Sequence, residues 1–304
     1  MPIKLGTTGI ALPYSKAYLG SNLVYQSHIP GFVAAGVGIA YFSKDGLTWT
    51  AMTGLPEGRE DYVAVTYGKD RYVYVSYGVS AYSKDGKTWN IMTEATEDTT
   101  GFHDVVYGND RFVKVGFRGA SAYSIDGETW VSMTGLDAGQ NYQGVAYGNG
   151  KFVCVGRGGQ IYYSTDGISW TQVSHNLSSN QWEGITYGNG KFVIVGIKGI
   201  SGYSTDGINW TYMTGLSSSY AYYDVAYGND RFIAVGKTGR TYYSTNGTSW
   251  TQMQTLSGNI NDIAYGVDKF ICVSDGGNEY YSTNGTSWTT LSGISETMYA
   301  ITYG

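Results

Sequence analysis

The chain has 304 residues and a formal net charge of -5, with 14% of residues charged. That balance offers no general attraction to nucleic acid or to an anionic membrane surface. Long uninterrupted apolar stretches are absent, so no membrane-inserted segment is expected.

Residues 1–30 stand outside the pattern that organises the rest and are expected to form an N-terminal arm. Tyr18 to Tyr25 has the pattern of a small hairpin around a Gly20-Ser21-Asn22 turn. The start, Met1 to Gly9, lacks the apolar core of a secretory leader, so cytoplasmic synthesis without a signal peptide is expected. Lys4-Leu5-Gly6, followed by Ser15 to Tyr25, resembles the opening of many tailed-phage virion proteins. The resemblance covers under a tenth of the chain and implies association with a virion, where other virion proteins would be partners.

From Gly31 onward one motif recurs. Ser43-Lys44-Asp45-Gly46-Leu47-Thr48-Trp49 returns as Ser83 to Trp89, Ser124 to Trp130, Ser164 to Trp170, Ser204 to Trp210, Ser244 to Trp250 and Ser282 to Trp288. Successive tryptophans lie 40, 41, 40, 40, 40 and 38 residues apart. A period near 40 residues, built of short apolar strands and tight turns, predicts one four-stranded blade per repeat and hence a seven-bladed β-propeller over 31–304. The sixth repeat divides most plainly, into Tyr223–Tyr227, Arg231–Val235, Arg240–Tyr243 and Ser249–Met253. Asn-Gly or Asn-Asp between the first two strands suits a tight hairpin turn. Apolar side chains at consecutive positions of the second strand, as in Phe192-Val193-Ile194-Val195, require both of its faces to be buried. Seven Tyr-Gly pairs end the first strands, and the last, Tyr303-Gly304, stands at the end of the chain, while the first repeat has no first strand of its own. Met298–Tyr303 is therefore expected to complete blade one and close the ring, removing a sheet edge. Cys154 and Cys272 occupy the same strand position three blades apart, too far to bridge, and are expected as small core residues.

The motif resembles the Asp-box, or BNR repeat, of sialidase-like propellers, where it forms the turn between the third and fourth strands. Its chemistry is local. The side chains of Asp45, Asp85, Asp126, Asp166, Asp206, Asn246 and Asn284 would accept N–H bonds within their own turns, glycine would take a conformation forbidden to a Cβ, and tryptophan would pack between blades. One carboxylate per blade cannot supply the six to eight oxygens calcium takes, so no metal or other cofactor is expected.

The resemblance does not carry sialidase catalysis with it. That family places Arg-Ile-Pro before its first Asp-box, and this chain has His28-Ile29-Pro30. Arg71, Arg111 and Arg231 share one repeat position beside a turn and have the placement of structural residues. No Tyr-Glu nucleophile pair is evident, and His28, His103 and His175 lack metal-ligand spacing. No catalytic residue is assigned. The photosystem II assembly factors, a second family with the motif, fit on fold alone, but the start of the sequence gives no expectation of a lumen-targeting segment.

Binding is expected on the face opposite the Asp-box turns, where the second-to-third-strand loops and the inter-blade loops meet. Arg118, Arg157, Lys198, Lys237 and Arg240 form a basic run over four consecutive blades at what the repeat makes matching positions. Trp182, the one tryptophan outside the motif, lies in a polar inter-blade loop. The cations could hold an anionic group, or could be neutralised by Asp104, Glu183, Asp224 and Asp262 on the inner strands. Gly144 and Gly184 replace the acid in blades four and five, leaving Arg157 and Lys198 the least compensated. The function expected is non-catalytic recognition of a host-surface glycan, or virion architecture, in a phage or prophage tail. The alternatives are a glycan-cleaving propeller with unfamiliar catalytic residues and a purely structural or assembly scaffold. A carboxylate pair at glycosidase spacing on this rim would favour the enzyme, and aromatic platforms without it the lectin-like module.

Overall fold

The structure, a computed structural model, describes residues 17–19, 22–25, 30–52, 54–55, 63–92, 101–177 and 181–304. Seven four-stranded antiparallel sheets follow one another around a ring, each repeat supplying one, so the fold is an all-β seven-bladed propeller. Blade three shows the plan: an inner strand Phe102–Gly108, a second Arg111–Gly116, a third Ser121–Ser124 and an outer Val131–Ser132. In blades two to seven every residue of the second strand but the first is buried, as consecutive apolar residues demanded. The outer strands are shorter than the repeat suggested, only two residues in blades three to six, because the motif tryptophan belongs to the turn.

Ring closure is as expected. Ala300–Tyr303 pairs antiparallel with Phe32–Ala35, Phe32 opposite Tyr303 and Ala35 opposite Ala300. Gly31 and Gly304 exchange backbone hydrogen bonds of 2.7 and 3.1 Å. Ala17–Leu19 pairs with Asn22–Tyr25 as the predicted hairpin. Its turn residues Gly20 and Ser21, His28, and the loop Glu94–Thr100 lie outside the described residues. Cys154 and Cys272 are free and buried.

The repeated turn holds itself together. Ser164 Oγ donates to Asp166 Oδ1 at 2.8 Å and accepts from the Gly167 N–H at 2.8 Å. Asp166 Oδ1 accepts from the N–H groups of Ile168 and Ser169, both at 2.9 Å. Asn246 accepts from Thr248 and Ser249 at the same distance, so an amide oxygen serves as well. Partial burial pushes the carboxyls of Asp85, Asp126, Asp166 and Asp206 up, but the turn's N–H bonds outweigh it and hold them below the usual range. Trp170 fills the gap between blades three and four with Val113, Val115 and Phe152, its Nε1–H donating to Met133 Sδ at 3.3 Å.

A second inter-blade contact explains the Tyr-Gly pairs. The tyrosine of each blade packs directly on the glycine of the preceding one, so that a Cβ on Gly148 would stand 2.0 Å from Tyr187 Cγ. The contact runs round the whole ring and ends with Gly304 under Tyr67. Arg71 and Arg111 are structural too: their side chains lie over Tyr82 and Tyr123 and against the turn of the next blade, with Arg71 also paired to Glu128.

Candidate functional site

The two kinds of hairpin turn share one face. Asn149 Nδ2 donates to Thr205 O at 3.2 Å, Asn229 Nδ2 to Thr283 O at 3.2 Å and Lys269 Nζ to Asp45 O at 3.0 Å, each joining a first-to-second-strand turn to the motif turn of the next blade. On the opposite face, the second-to-third-strand loops bind the inter-blade loops through Gly119 N–H to Gln140 O (2.7 Å) and Gly199 N–H to Tyr220 O (2.9 Å). The mouth of the central channel on that second face is where polar side chains gather.

Five consecutive β-bulges build it. In blades three to seven the register slips between Phe102 and Asp104, Tyr142 and Gly144, Trp182 and Gly184, Tyr222 and Asp224, and Ile260 and Asp262. Among the described residues no slip is seen in blades one and two. The extra residue at a bulge is free of the ladder and can be aimed elsewhere. Here it is His103, Gln143, Glu183, Tyr223 or Asn261. His103 Nε2 and Gln143 Nε2 lie 3.2 Å apart across neighbouring blades. Burial, then the nearby Arg157, pushes the imidazole down to about 3, so it is neutral at physiological pH. Asn261 Nδ2 donates to Asp275 Oδ1 at 2.9 Å. Burial first, then Asp275 and Glu183, pushes the Tyr223 phenol up, which makes it a hydrogen-bond donor rather than a nucleophile.

The basic run lies on this face but not as expected. The loops Phe117–Ala120, Arg157–Gln160, Ile197–Ile200 and Lys237–Arg240 place Arg157 and Lys237 first, Arg118 and Lys198 second and Arg240 fourth, so the positions alternate instead of matching. Arg118 and Lys198 sit on left-handed backbone with φ of 54° and 55°, at exposed loop tips. Arg157 Nη2 lies 3.5 Å from Glu183 Oε2, so it is compensated after all. Arg240 is held sideways, its Nη2 donating to Tyr220 Oη at 2.7 Å and its Nη1 to Thr255 Oγ1 at 3.2 Å. Arg118 lies over the Phe117 ring. Among the described residues Arg118, Lys198 and Lys237 form no ion pair.

Two further expectations are corrected. The inner-strand aspartates do not neutralise the rim. Asp104 Oδ2 accepts from the N–H of Val145 in the next blade at 2.7 Å, and Asp262 Oδ2 likewise from Ile301, because the inner edge of each sheet has N–H groups that need acceptors. Burial pushes the Asp104 carboxyl up to about 7. Trp182 is not an exposed loop residue. It opens the inner strand Trp182–Gly188, is 0% exposed, and donates to Gly159 O at 3.3 Å. It fills the inter-blade position held elsewhere by Phe102, Tyr142 and Tyr222. Among the described residues no group of three or more His, Cys, Asp or Glu could hold a metal ion, and no helix is long and apolar enough to cross a membrane.

No protein-family model and no curated protein matches this chain. Solved structures do. A computationally designed protein, Ika8, aligns with a TM-score of 0.63 at 10% identity over 90% of both chains. YCF48 bound to D1 peptide aligns at 0.61 and 16% identity over 81% of this chain and 87% of that one. Virginiamycin B lyase from Staphylococcus aureus aligns at 0.60 and 11% identity, over 75% and 83%. At such identities the likeness concerns the fold, and one fold hosts unrelated functions.

Proposed function

We propose that this propeller is a non-catalytic recognition module that holds an anionic group of a host-surface glycan over the channel mouth, in the tail of a phage or prophage. The observation that carries this reading is the coincidence of five bulges with the free cations. Neutral hydrogen-bonding groups (His103, Gln143, Tyr223, Asn261) stand at the bulges of the inner strands, and Arg118, Lys198 and Lys237 are exposed on the second-to-third-strand loops of the same face. Such a site fits a hydroxyl-rich ligand carrying a carboxylate or sulfate. Arg157, already turned inward to Glu183, and Arg240, pinned on Tyr220, would contribute from the periphery, while Trp182 would support the site from below. The tail assignment draws on the N-terminal resemblance, with residues 1–30 as an arm that attaches to another virion protein and 31–304 as the recognition ring. The motif turns of Asp45 and its six counterparts are assigned as Asp-boxes of purely structural role.

A glycan array and a sulfate titration at two salt concentrations test this. Binding should weaken with salt, and Lys198→Ala and Lys237→Ala should each reduce it by about fivefold, ~1 kcal/mol. Binding indifferent to salt and to both substitutions overturns the reading. Salt-insensitive capture of an extended peptide would favour a second reading, a peptide-docking ring. That reading is supported by the likeness to YCF48, whose solved structure holds D1 peptide. Tail genes on either side of this one would test the virion assignment separately.

A further inference from the structure

The seam where the ring closes differs from the other inter-blade joints in its acids. Asp224 and Asp262 hold the same position on adjacent inner strands, in blades six and seven, whereas Asp104 in blade three is followed by Gly144 and Gly184. Asp262 Oδ1 accepts from its own Ile263 N–H at 2.7 Å, and Asp262 Oδ2 accepts from Ile301 N–H at 2.7 Å. Ile301 belongs to the closing strand Ala300–Tyr303, so this one carboxyl ties blade seven to the strand that completes blade one. Asp224 Oδ2 reaches the same Ile263 N–H at 3.2 Å. The two carboxyl groups thus converge on one N–H, and a hydrogen bond between them would need a proton that one of them keeps.

We propose that Asp224 and Asp262 share a single proton, and that this proton is a latch on the ring seam which is released in alkali. Losing it places two negative charges side by side in the channel wall. They separate most readily by withdrawing Asp262 from Ile301 or Asp224 from Ile263. The groups facing the pair do not compensate. Cys272, from the second strand of blade seven, has its thiol pushed up by burial and then by both carboxyls, and the third acid, Asp104 in blade three, is itself pushed up by burial first and in smaller part by Asp224. No described cation forms an ion pair with either acid. Burial and then Asp224 push the Asp262 carboxyl well above the usual range, in keeping with the geometry. The sign follows from linkage. The folded seam keeps a proton that the unfolded chain gives up near pH 4, so the latch is complete below ~pH 4 and weakens as pH rises through the folded pair's own titration.

The test uses the full chain. Amide exchange of Ile301, expressed as a protection factor, should fall by about tenfold or more between pH 5 and pH 8 in the wild type, the equivalent of one unit of proton linkage. Asp224→Asn or Asp262→Asn should each abolish that fall, and the double variant should remove no more than either single one, because one proton is involved. These variants are compared in an Asp104→Asn background, so that the titration of Asp104 does not enter. Additive single effects, or a pH dependence that survives either substitution, overturn the proposal. Should a variant fail to fold, carboxyl 13C NMR of the wild type decides: one shared step above the ordinary range supports the latch, and two independent steps near pH 4 sink it.

Discussion

Replacing Gly148 by alanine tests the inter-blade contact that the Tyr-Gly pairs make. The added Cβ would stand 2.0 Å from Tyr187 Cγ and 2.3 Å from Cδ1. Carbon atoms pack at roughly 3.5–4.0 Å, so the ring must retreat by about 1.5 Å. It has little room, because it also packs against Phe192, with the centroids 4.8 Å apart and the rings tilted at 58°. Overpacking of this kind costs ~1–3 kcal/mol, and the pinned ring puts this case at the upper end. The lower unfolded-state entropy of alanine offsets up to ~1 kcal/mol. A net loss of about 2 kcal/mol follows, a melting temperature lower by roughly 3 °C. The neighbouring Gly150 is the control, since it has φ of +72° and open space around it. Gly150→Ala should cost only the left-handed penalty of ~1 kcal/mol. Adding Tyr187→Ala to Gly148→Ala should restore part of the loss, a coupling that urea unfolding can measure. Equal effects for the two glycine substitutions, or no coupling to Tyr187, would refute the stacking argument.

Deleting Ser295 to Gly304 removes the closing strand and should lower the melting temperature and promote association through two open edges; a monomer with unchanged melting would refute the closure. Asp166→Ala removes the acceptor of two turn N–H bonds and should cost ~1 kcal/mol, while calcium or a chelator leaves the unfolding curve in place. Because the Asp166 carboxyl lies below the usual range when folded, its contribution is present above ~pH 4 and is lost as pH falls through the folded value, which an acid titration of the variant against the wild type detects. Asp104 has the opposite sign: pushed up to about 7, it makes stability decline as pH rises from ~4 toward that value, and Asp104→Asn should flatten the decline in pH-dependent urea unfolding. Trp182→Ala empties a fully buried inter-blade position and should cost ~3–5 kcal/mol by urea denaturation, whatever it does to ligand binding.

Some of the candidate site was within reach of the repeat. Phe102, Tyr142, Trp182, Tyr222 and Ile260 each stand five residues before the tyrosine of a Tyr-Gly pair, a spacing that marks Trp182 as an inner-strand plug despite its polar surroundings. His103, Gln143, Glu183, Tyr223 and Asn261 follow those plugs directly, yet their types share no pattern. What unites them is the register slip, visible only once the inner and second strands are paired.

Blade number, strand order, the self-contained turns, the twice-buried second strand and the closing strand were all written in the chain. Each rests on interactions between residues a few positions apart, or on a period that repetition makes unmistakable. The partners of the charged groups were not. Asp104 meets Val145 across 41 residues and Asp262 meets Ile301 across 39, on strands brought together only by the ring. Arg157 turns to Glu183, and Arg240 to Tyr220, for the same reason. A polar side chain takes the nearest group able to satisfy it, and for these residues the packing of one blade on the next decides which group is near.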